Sequence, residues 1–181
     1  MAYLLRTLLL LMIVAVGLTV STALGWINIE YTHIELAIPT IFYTIFAEAF
    51  VMFYFIGVSR LCGNVQEVLY SEKNLNELFD EAPSDLDPYK KKVEKYVHAS
   101  TLSKRQTIPW TMLMLTLGII GFLLGPAHHT GLVRKVVHSG VIYGFIMAML
   151  IGFFRQWVYL GKNHRLLREM KALFSISDNA M

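Results

Sequence analysis

Four histidines, His33, His128, His129 and His138, are the residues of this chain best suited to chemistry. Neutral imidazole is a ligand for zinc, copper, iron and haem iron, so histidines from separate helices form a candidate ligand set. Each of the four lies at the edge of a long apolar run. The bland reading of one such residue is an amphipathic ring resting among headgroups and water. Four of them at one bilayer face strengthen the case for coordination.

Haem b suits the pattern better than a bare ion. Gly118, Gly121 and Gly125 precede His128 at spacings of three, four and three, so they share roughly one helix face where missing side chains leave room for a ring. The axial candidates are His33 with His128 or His138, and Arg134 and Lys135 stand where propionates would point. Close helix packing explains the glycines equally well, and interfacial anchoring explains the two cations. In the bare-metal variant His33, His128 and His138 are the ligands, with Glu30 and Glu35 as oxygen donors. Glu-x-x-His, His-x-x-x-His and His-Glu-x-x-His patterns are absent. The pairs Met112/Met114 and Met147/Met149 point about 200° apart on a helix and read as packing rather than copper ligands.

A second chemical feature is Glu48, about 18 Å into an apolar run and thus near the bilayer middle. Ionised carboxylates are costly there, so such residues face a bundle interior, take a partner or become protonated. His33, Ala37, Thr40, Thr44 and Glu48 recur at four, three, four and four, forming one polar or small face. That stripe suits a proton path, a quinone-site wall or a cofactor's hydrogen-bonding surface. The structural alternative pairs Glu48 with Arg155 and lets the threonines bond helix carbonyls.

These residues need a membrane bundle to position them, and the composition supplies one. Of 181 residues 55% are hydrophobic and only 16% charged, with mean hydropathy +0.51. That is too little polar surface for a water-soluble globule. The single cysteine, Cys62, excludes an internal disulfide framework and a cysteine-based cluster. A net charge of +3 without a contiguous basic face gives no reason to expect nucleic-acid binding.

Four stretches approach or exceed the ~20 residues needed to cross the hydrocarbon core, the third being the shortest: Leu4–Leu24, Leu36–Val58, Ile108–Leu124 and Val136–Leu160. The first exceeds a usual signal core and reads as a retained anchor. Pro109 is expected in the first turn of the third, and Pro126 is expected to end that helix. Eight Lys and Arg lie between spans two and three, and four more follow span four, against only Arg134 and Lys135 on the other side. The excess of Lys and Arg predicts both termini in the cytoplasm, in a bacterial inner membrane.

The expected architecture is an all-α antiparallel bundle of four transmembrane helices with a cytoplasmic helical hairpin between the second and third. Its parts are a first transmembrane hairpin over 1–58, a cytoplasmic amphipathic helical connection over 59–107, a second hairpin over 108–160 and a basic tail over 161–181. In the connection, Glu81–Pro88 reads as a turn, Asp85 or Asp87 as a helix cap, and Tyr89–Leu102 as a helix returning to the membrane. Gly140, Gly144, Ala148 and Gly152 repeat every four residues and mark span four as a close-packing face.

No nucleophile–base set, phosphate loop or dinucleotide fingerprint is present, which favours an accessory or electron-transfer subunit over an independent enzyme. The layout is similar to four-helix membrane b-type cytochromes in span count and histidine placement alone. Three functions compete. The first is a small haem- or metal-binding redox subunit, with a quinone as a candidate partner. The second is a non-catalytic structural or assembly subunit, without a cofactor, that joins other membrane subunits or copies of itself. The third is a proton or ion translocator using Glu48.

Overall fold

The computed structural model describes residues 2–79, 83 and 85–174. They form four long helices, α1 (Ala2–Ala23), α2 (His33–Ser71), α3 (Asp87–His129) and α4 (Lys135–Leu173), with one short 3₁₀ turn at Leu75–Glu77 and no strand. All four helices are long and apolar enough to cross a membrane. Only 22–33% of their most apolar windows is buried inside the molecule. The remaining apolar side chains, among them Leu4, Val14, Phe42, Phe53, Leu123 and Phe154, face outward. A helix that is apolar all round needs lipid on the faces its neighbours leave uncovered.

The helices pack as a bundle in which α3 lies against both α2 and α4, while α1 leans on α2 and touches α4. Residues of α1 recurring at three and four, Leu5, Leu9, Met12 and Val16, turn inward to meet Val51 and Phe55 of α2 and Met149 of α4. Tyr43 donates to the Leu8 carbonyl at 3.2 Å, and the hydroxyls of Thr19 and Thr40 lie 3.0 Å apart. Near the start of α1, Arg6 donates to the carbonyl of Trp157 and lies over its ring.

Three helices are much longer than a bilayer requires. At ~1.5 Å per residue, α2, α3 and α4 measure roughly 58–65 Å, about twice the hydrocarbon thickness. The 22 residues of α1 are enough for one crossing. The surplus of the three long helices forms a stalk with a core of its own, in which Cys62 and Leu69 of α2, Val93 of α3, and Leu166 and Met170 of α4 are buried together. Lys90 of α3 closes on Glu72, the residue that ends α2, at 2.7 Å.

Several local expectations are corrected. The returning helix expected over Tyr89–Leu102 and span three are one continuous helix, so Pro109 lies inside α3 and not in a first turn. Pro126 does not end α3, which runs to His129. Within the expected tail, residues 161–173 are the last part of α4. Leu86 stands at the N-cap of α3 without a side-chain cap; Asp85 accepts from the backbone of Asp87 just ahead of the helix. Of the turn expected over Glu81–Pro88, residues 81, 82 and 84 lie outside the described residues, and Asp87 and Pro88 already belong to α3.

Candidate functional site

Glu48 is a carboxyl inside the apolar part of the bundle. Its side chain is fully buried, at 0% exposure, where α2, α3 and α4 meet. Oε2 accepts from the Thr111 hydroxyl at 3.0 Å and from the Gln156 amide at 2.5 Å. The same amide donates to Thr111 at 2.7 Å, which closes a three-residue ring of hydrogen bonds. Oε1 of Glu48 and Oε1 of Gln156 are both buried without a partner.

The local fold explains this convergence. Gln156 is the next step of the four-residue repeat Gly144, Ala148, Gly152, and all of that face turns toward α3 and the interior. A side-chain carbon at Gly144 would meet Leu117 at 3.8 Å, and one at Gly152 would meet Trp110 at 3.7 Å. The partner of this face is therefore α3 of the same chain, except at Gly140, where nothing lies within 4 Å. On α3 the buried positions Ser100, Ser103, Thr107 and Thr111 recur at three, four and four. The first three satisfy their hydroxyls on carbonyls of their own helix. On α2, Thr44 is buried and bonds the Thr40 carbonyl, so the upper part of the Glu48 stripe is held by Thr40, Thr44 and Thr19.

Arg155 does not pair with Glu48. Its guanidinium donates to the side chain and carbonyl of Gln106 and lies over the Trp110 ring. Adjacent residues on a helix point about 100° apart, so when Gln156 faces the interior Arg155 must face the flank. The sequence reading missed Gln156, Thr111 and the buried Asn163. The four-residue repeat of α4 points to the first, and the hydroxyl spacing on α3 to the second.

The structure brings the four histidines to one end of the bundle. Their rings form a row, with centroids 6.3 Å apart for His33 and His129, 6.1 Å for His129 and His128, and 6.0 Å for His128 and His138. Among the described residues no group of three or more His, Cys, Asp or Glu side chains is arranged to hold a metal ion. The His128 Nδ1 lies 3.2 Å from the Val133 carbonyl, which can only accept, so Nδ1 is the donor in that bond. The His138 Nδ1 is buried without a partner.

The surroundings of this row differ from the haem expectation. A carbon added at Gly121 would lie 2.7 Å from Ile142 and one at Gly118 would lie 3.1 Å from Phe145, so side chains of α4 already fill that glycine face. Glu35 serves the helix. It accepts from the backbone and hydroxyl of Thr32, while Thr32 accepts from the backbone of Glu35, a reciprocal cap at the start of α2. Those two bonds, the backbone one foremost, hold the Glu35 carboxyl below the ordinary glutamate value. Arg134 is the N-cap of α4 and Lys135 its first residue, and both are exposed. Met114 and Met149 are buried while Met112 and Met147 face outward, so neither methionine pair converges.

Comparison with models of protein families, with curated proteins and with solved structures finds no match for this chain.

Proposed function

We propose that this chain is a proton-translocating subunit of a bacterial inner membrane, an antiparallel four-helix bundle with both termini and the three-helix stalk in the cytoplasm. The observation that carries the reading is Glu48, a carboxyl buried at 0% exposure, held on one oxygen by Thr111 and Gln156, with its other oxygen unpartnered. Intramembrane carboxyls inside a bundle mark ion pathways and proton relays. Two donors on Oε2 fix the carboxyl in place, and Oε1 is the atom left to take and release a proton. Both neighbours of Oε2 act as donors, whereas a metal cation needs a shell of oxygen acceptors. One bundle of four spans offers a short path, so further copies or other membrane subunits complete it.

The test is proton flux in proteoliposomes carrying a trapped pH dye. Glu48→Gln, which keeps size and hydrogen bonding, is expected to lower flux to that of protein-free vesicles, and Glu48→Asp to retain part of it. Flux in Glu48→Gln equal to that of the unaltered protein would sink the proposal, as would its absence from the unaltered protein. The latter outcome leaves the structural or assembly role.

A second reading is favoured by one observation at the histidine row. The Nδ1 bond of His128 to a backbone carbonyl orients Nε2 as an outer-shell partner orients a metal ligand. In that reading His128 and His138 hold a redox or structural metal, with His33 and His129 beside them. A haem would have to sit outside the glycine face, at the exposed end of the row.

A further inference from the structure

A groove on the flank of α3 and α4 joins an apolar slot to an uncompensated cation. Its volume is about 570 Å³, and it is lined by Gln106 of α3 and by Leu150, Ile151, Phe154, Arg155 and Tyr159 of α4. Leu150, Ile151 and Phe154 are exposed and lie between Arg155 and the middle of the fourth span. Arg155 closes the other end. It is half-buried, its Nη1 donates to Gln106, and its Cζ lies 5.3 Å from the centre of the Trp110 ring. Neither partner carries a negative charge. Its Nε and Nη2 have no partner among the described residues, and no acid among them pairs with it.

A second cation brackets the same end. The Lys162 ammonium lies 4.8 Å over the ring of Tyr159. Positions 155, 159 and 162 are spaced four and three, so they share one helix face. Arg155 stands five residues inside the end of the fourth span, at the margin of the hydrocarbon, where a lone charge is costly without an anion.

We propose that this groove binds an anionic phospholipid. The phosphate sits between Arg155 and Lys162, and an acyl chain lies along Leu150, Ile151 and Phe154. Guanidinium suits phosphate because its planar fork matches two oxygens at once. Basic pockets beside transmembrane helices recognise acidic headgroups for the same reason. The site does not depend on the proton path through Glu48, since it lies on the outer side of α4.

Trp110 beneath Arg155 provides the readout. In a Trp26→Phe, Trp157→Phe protein it is the only tryptophan. Such protein would be reconstituted in phosphatidylcholine vesicles containing brominated phosphatidylglycerol or, separately, phosphatidylcholine brominated on the same chains. The glycerol lipid is expected to quench Trp110 more strongly, with an enrichment of about fivefold for each cation. Arg155→Gln should remove that preference, Arg155→Lys should keep most of it, and Lys162→Gln should lower it without touching Gln106 or Trp110. Equal quenching by the two lipids overturns the proposal, as does a preference that survives Arg155→Gln. Failure of both lipids to quench would mean that another helix covers the groove, which also overturns it. An excess of inorganic phosphate is expected to leave the preference intact; its loss would assign the site to free phosphate and reject a lipid.

Discussion

A carboxyl that neither solvent nor a cation reaches depends on its immediate hydrogen bonds, and for Glu48 these come from Thr111 and Gln156. Both residues act on one oxygen, which explains why the other is the reactive atom in the proposed relay. The histidines are the opposite case: they lie near the surface, and their geometry is pairwise. In the proposed metal reading, His128 and His138 supply two ring nitrogens and the remaining positions are open to water. Zinc or copper titration of metal-free protein is then expected to show one site per chain. His138→Ala should weaken it by at least the ~10–100-fold that loss of an outer-shell partner costs. Binding that is undetectable, or unchanged in His138→Ala and His128→Ala, would remove the metal reading. An absorption spectrum of the same preparation decides for or against haem. Of this site the sequence showed the members, because edge histidines and a mid-span Glu stand out by type. It did not show the partners of Glu48, because Gln156 differs from Arg155 by one position and only the helix phase separates inward from flank.

The helices owe their mutual approach to small residues used unequally. Gly121 sits directly against Ile142, and Gly118 against Phe145, whereas Gly140 meets nothing within 4 Å. Gly121→Leu is therefore expected to destabilise the bundle by ~1–3 kcal/mol through overpacking, and Gly140→Leu to change it little. Because the nearest atom at Gly121 is the flexible tip of Ile142, Gly121→Ala should cost less than the leucine. Unfolding in mixed micelles followed by circular dichroism would compare the three; equal stability of Gly121→Leu and Gly140→Leu would contradict the packing described. The four-residue repeat made a packing face legible from sequence, and its partner helix became visible only with α3 in place. Helix ends were the least legible part. Pro109 and Pro126 normally mark boundaries, yet in α3 the flanking turns and the packing of α2 and α4 carry the helix through both.

At the scale of the whole molecule, the four membrane-capable helices were legible because each apolar run is long enough to cross a hydrocarbon core and carries few or no charges. The stalk was only half legible. Its α2 and α3 parts showed apolar spacing, but the polar residues after Leu160 read as a tail, and only burial of Leu166, Met170 and Phe174 against α2 and α3 shows why they stay helical. The expected orientation can be checked directly. In a Cys62→Ser background, Arg134→Cys should react with an impermeant maleimide added outside spheroplasts, and Arg165→Cys should not until the membrane is opened. The reverse pattern would invert the topology and place the histidine row in the cytoplasm.

The uninterrupted run of α2, α3 and α4 from stalk to membrane has a mechanical consequence. Glu48, Thr111 and Gln156 belong one to each of these rods, and each rod passes without a break into the stalk packing around Cys62, Val93 and Leu166. A twist or tilt applied to the stalk therefore reaches the carboxyl as a change in the reach of two hydrogen bonds. The projecting part of the molecule is thus mechanically continuous with the three residues that meet at this carboxyl.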